Sequence, residues 1–246
     1  MNSKLNFIII LIAILFTSCK KESITAEDPE NGIEYFPIQE GKFISYTVDS
    51  TLYDDRGLTK VNTSSFIKME IGKLLQETGD SKKYILNKYW KRESSSTWIL
   101  TDVETITSKN SEIVVSEENL PIVKMIFPNN VGKTWKSTRL FDENIESFVL
   151  GETIKVYQGW NSEVIDKKSD LKVNNKEYNN VLEVIHANDK SSVNNLRFVK
   201  EFYAPNLGLI KREMKIYDTN NPVQGQAWET YVHKGFSITM QIFENN

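Results

Sequence analysis

The sequence has few residues that form covalent cross-links or favour turns: one cysteine, 11 glycines and 6 prolines among 246 residues. A single cysteine excludes a disulfide within the chain, so packing and hydrogen bonds must stabilise the folded protein. The formal net charge is only −3, and no long run of one sign occurs. This balance argues against nucleic acid as a partner.

Side chains that carry catalysis or bind metals are also scarce. The chain has two histidines, His186 and His233, each at the end of a predicted strand, whereas a zinc site needs three or four ligands. We interpret both as surface or rim residues of a sheet. Gly132-Lys133-Thr134 resembles the end of a phosphate loop, but Phe127 stands where that motif needs its first glycine. We therefore predict no catalytic residue, no metal, no cofactor and no enzymatic activity, with a hydrolase as the least favoured alternative.

Acidic residues occur in adjacent pairs at Asp54-Asp55, Glu117-Glu118 and Asp142-Glu143. Glycosidase chemistry needs two carboxyl groups that converge on one bond, whereas neighbours on a strand point to opposite faces of the sheet. We predict that these pairs are solvated turn residues.

The N-terminal residues have the organisation of an export signal. Lys4 supplies a positive charge, Phe7–Phe16 is an unbroken apolar run, and small residues precede Cys19. The run covers ten residues, and about 20 are needed to cross a bilayer as a helix. Leu15–Cys19 resembles the lipobox of bacterial lipoproteins, with Phe16 where leucine is usual.

This resemblance implies that residues 1–18 are removed and that Cys19 is acylated, which would hold the protein on a membrane. Residues 19–32 are polar, show no apolar periodicity and predict a flexible tether. Residues 33–246 are the predicted globular domain. We expect a lipid-anchored protein of the cell envelope, in the outer membrane, and the sequence leaves its periplasmic or surface face open.

The globular part has the pattern of β-strands. Ile44, Tyr46 and Val48 alternate with polar residues, as in a half-buried strand. Asn174-Asn175 is predicted as a hairpin turn, because asparagine tolerates left-handed backbone. We predict a mainly β fold of antiparallel sheet, either a curved half-barrel or a sandwich, with little helix. Further strands are predicted at 66–75, 83–90, 97–107, 112–115, 122–127, 134–141, 148–157, 178–186, 196–203, 209–217 and 227–233.

One sequence pattern occurs twice. Phe36–Phe43 and Phe127–Trp135 both have the form F-P-x-x-x-G-K, followed within two positions by an aromatic residue. A duplication would divide the domain into similar halves, 33–125 and 126–246. Independent use of one strand–turn–strand device would give the same pattern, and the sequence leaves both explanations open.

The same segments, together with Tyr203–Lys211 (YAPNLGLIK), resemble a family of Bacteroidetes lipoproteins. That family has an F-P-L-x-x-G-x-x-W-x-Y opening and a later Y-A-P-G-V-G-L-V-K hairpin. In this chain Phe43-Ile44 stands where the tryptophan is common, and Asn206 replaces the first hairpin glycine. The resemblance implies an antiparallel β domain and no active site. We expect a core that includes Phe43, Tyr46, Trp135, Tyr203 and Ile210.

Tryptophan supplies the remaining functional indication. Trp90 and Trp98 flank a polar segment, so both rings are expected near one end of a hairpin. Exposed aromatic rings can stack on sugars, whereas buried ones dominate cores. We predict a non-catalytic binding or assembly module, with a glycan or an envelope protein as partner besides the membrane. The alternatives are a glycan-binding accessory protein and a carrier of lipid or another apolar ligand; the stacking candidates are Trp90, Trp98, Trp160 and Trp228.

Overall fold

The computed structural model describes residues 31–54, 58–189 and 192–246. Cys19 and the predicted signal therefore lie outside the described residues. Short 3-10 turns occur at Ile33–Tyr35 and Trp228–Thr230. The strands are β1 Phe43–Asp54, β2 Thr59–Thr78, β3 Ser81–Lys91, β4 Ile99–Lys109, β5 Glu112–Glu117, β6 Leu120–Ile126, β7 Thr134–Lys136, β8 Ser147–Val149, β9 Glu152–Ile154, β10 Asn161–Val173, β11 Lys176–Asp189, β12 Asn195–Ala204, β13 Gly208–Asp218 and β14 Lys234–Asn245.

Twelve of these strands form one antiparallel sheet in the order β6-β5-β4-β3-β2-β1-β14-β13-β12-β11-β10-β7, and β8 pairs with β9 in a separate hairpin. The sheet is nearly closed and barrel-like, so the prediction of a mainly β, antiparallel fold is confirmed. In the described part of the chain, no helix is long and apolar enough to span a bilayer.

The two edge strands, β6 and β7, meet at a narrow seam. The backbone N–H of Val123 donates to the carbonyl oxygen of Ser137 at 2.9 Å. The carbonyl oxygen of Val123 accepts from the indole Nε1 of Trp135 at 2.8 Å and from the Ser137 hydroxyl at 3.0 Å. Side-chain hydrogen bonds from Trp135 and Ser137 therefore connect β6 to the β7 segment, where backbone hydrogen bonds connect the other neighbouring strands.

The sheet consists of two consecutive six-strand meanders, and the repeated sequence pattern begins each of them. Gly41-Lys42 exchanges two backbone hydrogen bonds with Ile71, both at 2.8 Å. Gly132-Lys133 exchanges the same two bonds with Val164, at 2.8 and 3.0 Å. Both glycines have positive φ, 83° and 82°, which is a conformation that side chains with a Cβ disfavour.

The matching register continues across each meander. In the first, Ile71 lies opposite Leu86, which lies opposite Glu104. The corresponding series in the second runs from Val164 to Val184 to Glu201. Whether the two halves arose by duplication stays a prediction, but their strands are joined in the same register.

Several predicted strands are wrong in position. The segment 227–233 is a 3-10 turn and loop, in which the rings of Trp228 and Tyr231 pack at 5.1 Å. The strands Asn161–Val173 and Lys234–Asn245 were not predicted. The predicted strand at 134–141 ends at Lys136, and the one at 148–157 is replaced by the short β8–β9 hairpin.

The turn and core predictions are mostly confirmed. Asn174 and Asn175 connect β10 to β11 with φ of 47° and 65°. Of the five predicted core residues only Phe43 is wrong, because its side chain is half-buried; the buried ones are Tyr46, Trp135, Tyr203 and Ile210.

We expect Trp135→Phe to lower the free energy of unfolding by about 1–2 kcal/mol, because it removes the indole donor at the seam and leaves a void. The measurement is urea unfolding followed by circular dichroism. Trp228→Phe is the matched control, since Trp228 is half-buried and the described residues show no hydrogen bond from its indole. Equal losses in both variants would contradict the role assigned to the seam.

Candidate functional site

A buried charged network lies inside the sheet, centred on Glu201 of β12. Its Oε1 accepts from Lys124 Nζ of β6 and from Arg212 Nε of β13, both at 2.6 Å. Arg212 Nη2 also donates to Glu117 Oε1 of β5 at 2.9 Å, and Lys124 Nζ lies 3.2 Å from the same oxygen. Two carboxylates and two cations therefore balance. The prediction that Glu117 is a solvated turn residue is wrong, because these two cations hold it at the end of β5.

The other carboxylate oxygen of Glu201 is also paired. It accepts from the Tyr203 hydroxyl, and His186 Nε2 lies 2.8 Å from it. His186 Nδ1 lies 2.8 Å from the Ser162 hydroxyl, which itself contacts Ser137. Burial lowers the pKa of His186, so the ring is neutral at pH 7. The interpretation of His186 as a rim residue is wrong, since its side chain is fully buried between Trp135 and Trp160.

Ser162, His186 and Glu201 follow one another in the order of a serine hydrolase triad, but the ring nitrogens are exchanged: Nδ1 faces the serine and Nε2 the carboxylate, whereas the triad has Nε2 on the serine. Their burial distinguishes them from a working one, because Ser162 is 1% exposed and the other two are 0% exposed. A nucleophile must reach a substrate atom, and here aromatic rings cover the array. The arrangement satisfies polar groups within the core.

Glu104 in the first half of the sheet and Glu201 in the second occupy the same register position, but their surroundings differ. Burial alone would raise the pKa of Glu201, but Arg212 and Lys124 hold it well below its ordinary value. Glu104, its counterpart in the first half, has only Lys88 at 3.7 Å as a charged partner among the described residues, and burial raises its pKa. The number of nearby cations decides the direction of the shift.

An apolar cavity of about 90 Å³ opens beside this network. Glu117, Lys124 and Arg212 form its charged floor. Its walls come from both halves of the sheet; the apolar wall residues include Ile44, Tyr46, Met69, Ile71, Leu86, Ile106, Val115, Tyr203 and Leu209.

The rim of the cavity consists of Phe36-Pro37, Lys42 and the β12–β13 hairpin. Lys42 Nζ donates to the carbonyl oxygen of Asn206 at 2.7 Å, and burial lowers the pKa of this lysine. Asn206 takes a positive φ of 61°, which the hairpin needs at that position. Both segments at the rim belong to the motifs that carry the family resemblance.

The four tryptophans predicted as stacking residues do not form one site. Trp160 is 2% exposed and donates to the carbonyl oxygen of Val156, so it is a core residue. Trp98 lies on the outer face of the sheet beside Lys91. Trp90 precedes Lys91 in β3 and therefore projects from the opposite face. Trp228 lies on a 3-10 turn after β13.

Among residues 31–54, 58–189 and 192–246, no three His, Cys or acidic side chains are grouped as a metal site would require. His233 is half-buried just before β14, and its Nδ1 accepts from the backbone N–H of Asn220 at 3.1 Å.

Comparison with known proteins identifies no family, since no protein-family profile and no curated protein match the sequence. The solved structures that are similar to this chain include the following three. One is a Bacteroides fragilis protein provisionally assigned as exported, with a YmcC-like fold (11% identity, TM-score 0.43, 85% of this chain and 98% of that chain). Another is a Parabacteroides distasonis protein provisionally assigned as a lipoprotein (15% identity, TM-score 0.40, 86% and 98%). The third is LprF from Mycobacterium bovis (7% identity, TM-score 0.21, 82% and 85%). Similarity at this level assigns neither a family nor a function.

Acid unfolding tests the charged network. Burial alone would raise the pKa of Glu117, but Arg212 and Lys124 bring it to about 2, from an ordinary value of 4.5. The depressed pKa means that Glu117 stabilises the fold fully above pH 4.5 and loses this contribution as the pH falls toward 2. We expect Glu117→Gln to lower the free energy of unfolding by on the order of 2–3 kcal/mol at pH 7, and by less below pH 4.

The measurement is urea unfolding at a series of pH values between 7 and about 2.5. Glu118→Gln, a change at the exposed neighbour, is the matched control and should alter neither stability nor its pH dependence. A Glu117→Gln deficit that is constant across this pH range would contradict the pairing of Glu117 with the two cations.

Proposed function

We propose that this protein is a non-catalytic, lipid-anchored binding module of the cell envelope, and that its cavity holds the apolar end of an amphiphile with an anionic group. The observation that supports this most directly is the cavity itself. Its walls are apolar, its floor is a set of fixed charges, and a lysine stands at its rim. A concave apolar site with a few convergent polar groups is the usual form of a small-molecule site.

The size of the cavity limits its occupant. An engineered apolar cavity of about 150 Å³ accepts benzene, and this one measures about 90 Å³. It therefore suits the terminal segment of an aliphatic chain rather than a whole lipid. The alternative of a carrier that encloses a complete lipid would need a cavity several times larger.

The charges determine where the polar group of the amphiphile would lie. Lys124 and Arg212 at the floor are each paired with Glu117 and Glu201, so they have little attraction left for an anion. Lys42 at the rim binds only the carbonyl oxygen of Asn206 among the described residues. An amphiphile would therefore insert its chain first and leave its anionic group beside Lys42.

The anchor rests on the sequence alone. The apolar run Phe7–Phe16, the small residues after it and the single cysteine at position 19 support acylation of Cys19 and attachment to the outer membrane. A module attached to a bilayer operates next to a large store of acyl chains, which suits the proposed ligand.

Acylation of Cys19 predicts that cells expressing the protein incorporate an alkyne-tagged palmitate into it, and that the protein partitions with membranes. Cys19→Ser should abolish both the label and the partitioning, because it removes the only thiol in the chain. Ser18→Ala is the control that keeps a small residue before the cysteine. Label retained in Cys19→Ser would contradict the assignment.

The cavity predicts binding of decanoate, measured by titration calorimetry in the Cys19→Ser protein. Val115→Phe should weaken binding at least ten-fold, because the larger side chain fills the space that the ligand would occupy. Val103→Phe, at a 61% exposed position of β4, should leave it unchanged. Lys42→Gln tests the rim without altering the core, and we expect about a five-fold loss.

Decylammonium, which has a similar chain and the opposite charge, should bind more weakly than decanoate. Equal binding of the two ligands, or equal binding by Val115→Phe and Val103→Phe, would overturn the proposal for the cavity.

A further inference from the structure

A second feature lies on the outer face of the sheet, away from the cavity floor. Strand β2 directs Ile67 and Met69 to the interior clusters, and Lys68 between them points outward. Around Lys68 and Lys91 of β3 lies a set of aromatic rings that we call the outer aromatic patch. Its members are Phe43, Phe66, Tyr89, Trp98 and Phe243.

Lys91 is unusual because it is buried and has no carboxylate partner among the described residues. Its side chain is covered so that the residue is only 7% exposed. The ammonium lies 4.5 Å from the centroid of the Trp98 ring and 5.3 Å from that of Phe66, and it donates to the carbonyl oxygen of Ser94 at 2.8 Å. Among the described residues no carboxylate lies within ion-pair distance of it. Lys124, the other buried lysine, has two.

A buried cation without a counter-ion is costly, and aromatic faces offset only part of that cost. An ammonium has three N–H donors, and the described contacts of Lys91 use one of them. The site therefore has unused capacity for an anionic acceptor.

Lys68 adds a second positive charge next to the same tryptophan. Its ammonium lies 4.3 Å from the Tyr89 ring centroid and 5.6 Å from that of Trp98, and Glu70 lies 3.5 Å away. Both ammonium groups therefore lie within 5.6 Å of the centroid of the Trp98 ring, and Trp98 is half-buried.

We propose that the outer aromatic patch binds an acidic carbohydrate, with a sugar ring stacked on Trp98 and a uronate carboxylate paired with Lys91 and Lys68. Aromatic faces take up the apolar side of a sugar ring, and the two ammonium groups select for negative charge. The whole chain carries a net charge of −3, so attraction of an acidic polymer must come from this local arrangement. Phe43 contributes to both the patch and the cavity lining, whereas Trp98, Lys91 and Lys68 do not line the cavity, and the proposal does not depend on an amphiphile.

The test is the quenching of tryptophan fluorescence by polygalacturonate oligosaccharides, with neutral dextran oligosaccharides of similar length for comparison. We expect the uronate to bind and dextran to bind at least ten-fold more weakly, and we expect uronate affinity to fall as salt increases. Trp98→Ala should lower uronate affinity at least ten-fold. Trp228→Ala, at a half-buried tryptophan that packs against Tyr231 and the cluster around Tyr217, should leave the affinity unchanged.

Lys91→Met keeps the apolar stem and removes the charge, so it should remove the preference for uronate over dextran while the far-ultraviolet circular dichroism is retained. Lys68→Gln, at a less buried position, provides the same test if Lys91→Met does not fold. Equal affinity for both polymers, no binding of either, or equal effects of Trp98→Ala and Trp228→Ala would overturn the proposal. Decanoate binding should be unaffected by Trp98→Ala, so failure at the patch is distinguishable from failure at the cavity.

Discussion

The structure depends on a carboxylate that cannot be left unpaired. Glu201 is fully buried, and a buried charge costs several kcal/mol unless partners surround it. Both of its oxygens are occupied, by Lys124 and Arg212 on one side and by His186 and Tyr203 on the other. These partners come from β6, β11, β12 and β13, so satisfying one side chain fixes strands from both meanders. That fixation matters because the β6–β7 seam has few backbone bonds of its own.

The two meanders share a register but not their contents. In the first, Glu104 has Lys88 as its charged partner among the described residues. In the second, His186 and Glu201 occupy the matching positions, and Trp135 and Trp160 fill the surroundings. The same backbone arrangement therefore supports a glutamate with one nearby cation in the first half and a glutamate surrounded by cations and aromatic rings in the second.

Short sequence patterns predicted those strands and turns whose conformation is determined by residues adjacent in the sequence. Alternation at Ile44, Tyr46 and Val48 gave a strand, and Asn174-Asn175 gave a turn, because each pattern reports on neighbouring residues. The sequence pattern does not predict strand β10, because charged residues separate its buried positions Val164 and Val173.

The candidate site could not be predicted in this way. Glu117, Lys124, Glu201 and Arg212 lie far apart in the sequence and resemble surface charges there. Only the strand order brings them together. The prediction of a rim position for His186 is wrong for the same reason, since nothing near it in the sequence indicates its contact with Glu201.

The pairing of the first strand with the last has a consequence for biogenesis. Phe43–Asp54 lies against Lys234–Asn245 along nearly its whole length, from Ile44 opposite Asn245 to Tyr53 opposite Gly235. If the chain is exported from its amino end, one edge of β1 would therefore lack its hydrogen-bonding partner until β14 had also been exported. Bare strand edges invite aggregation. The strand order therefore leaves this edge of Phe43–Asp54 unpaired until Lys234–Asn245 is in place.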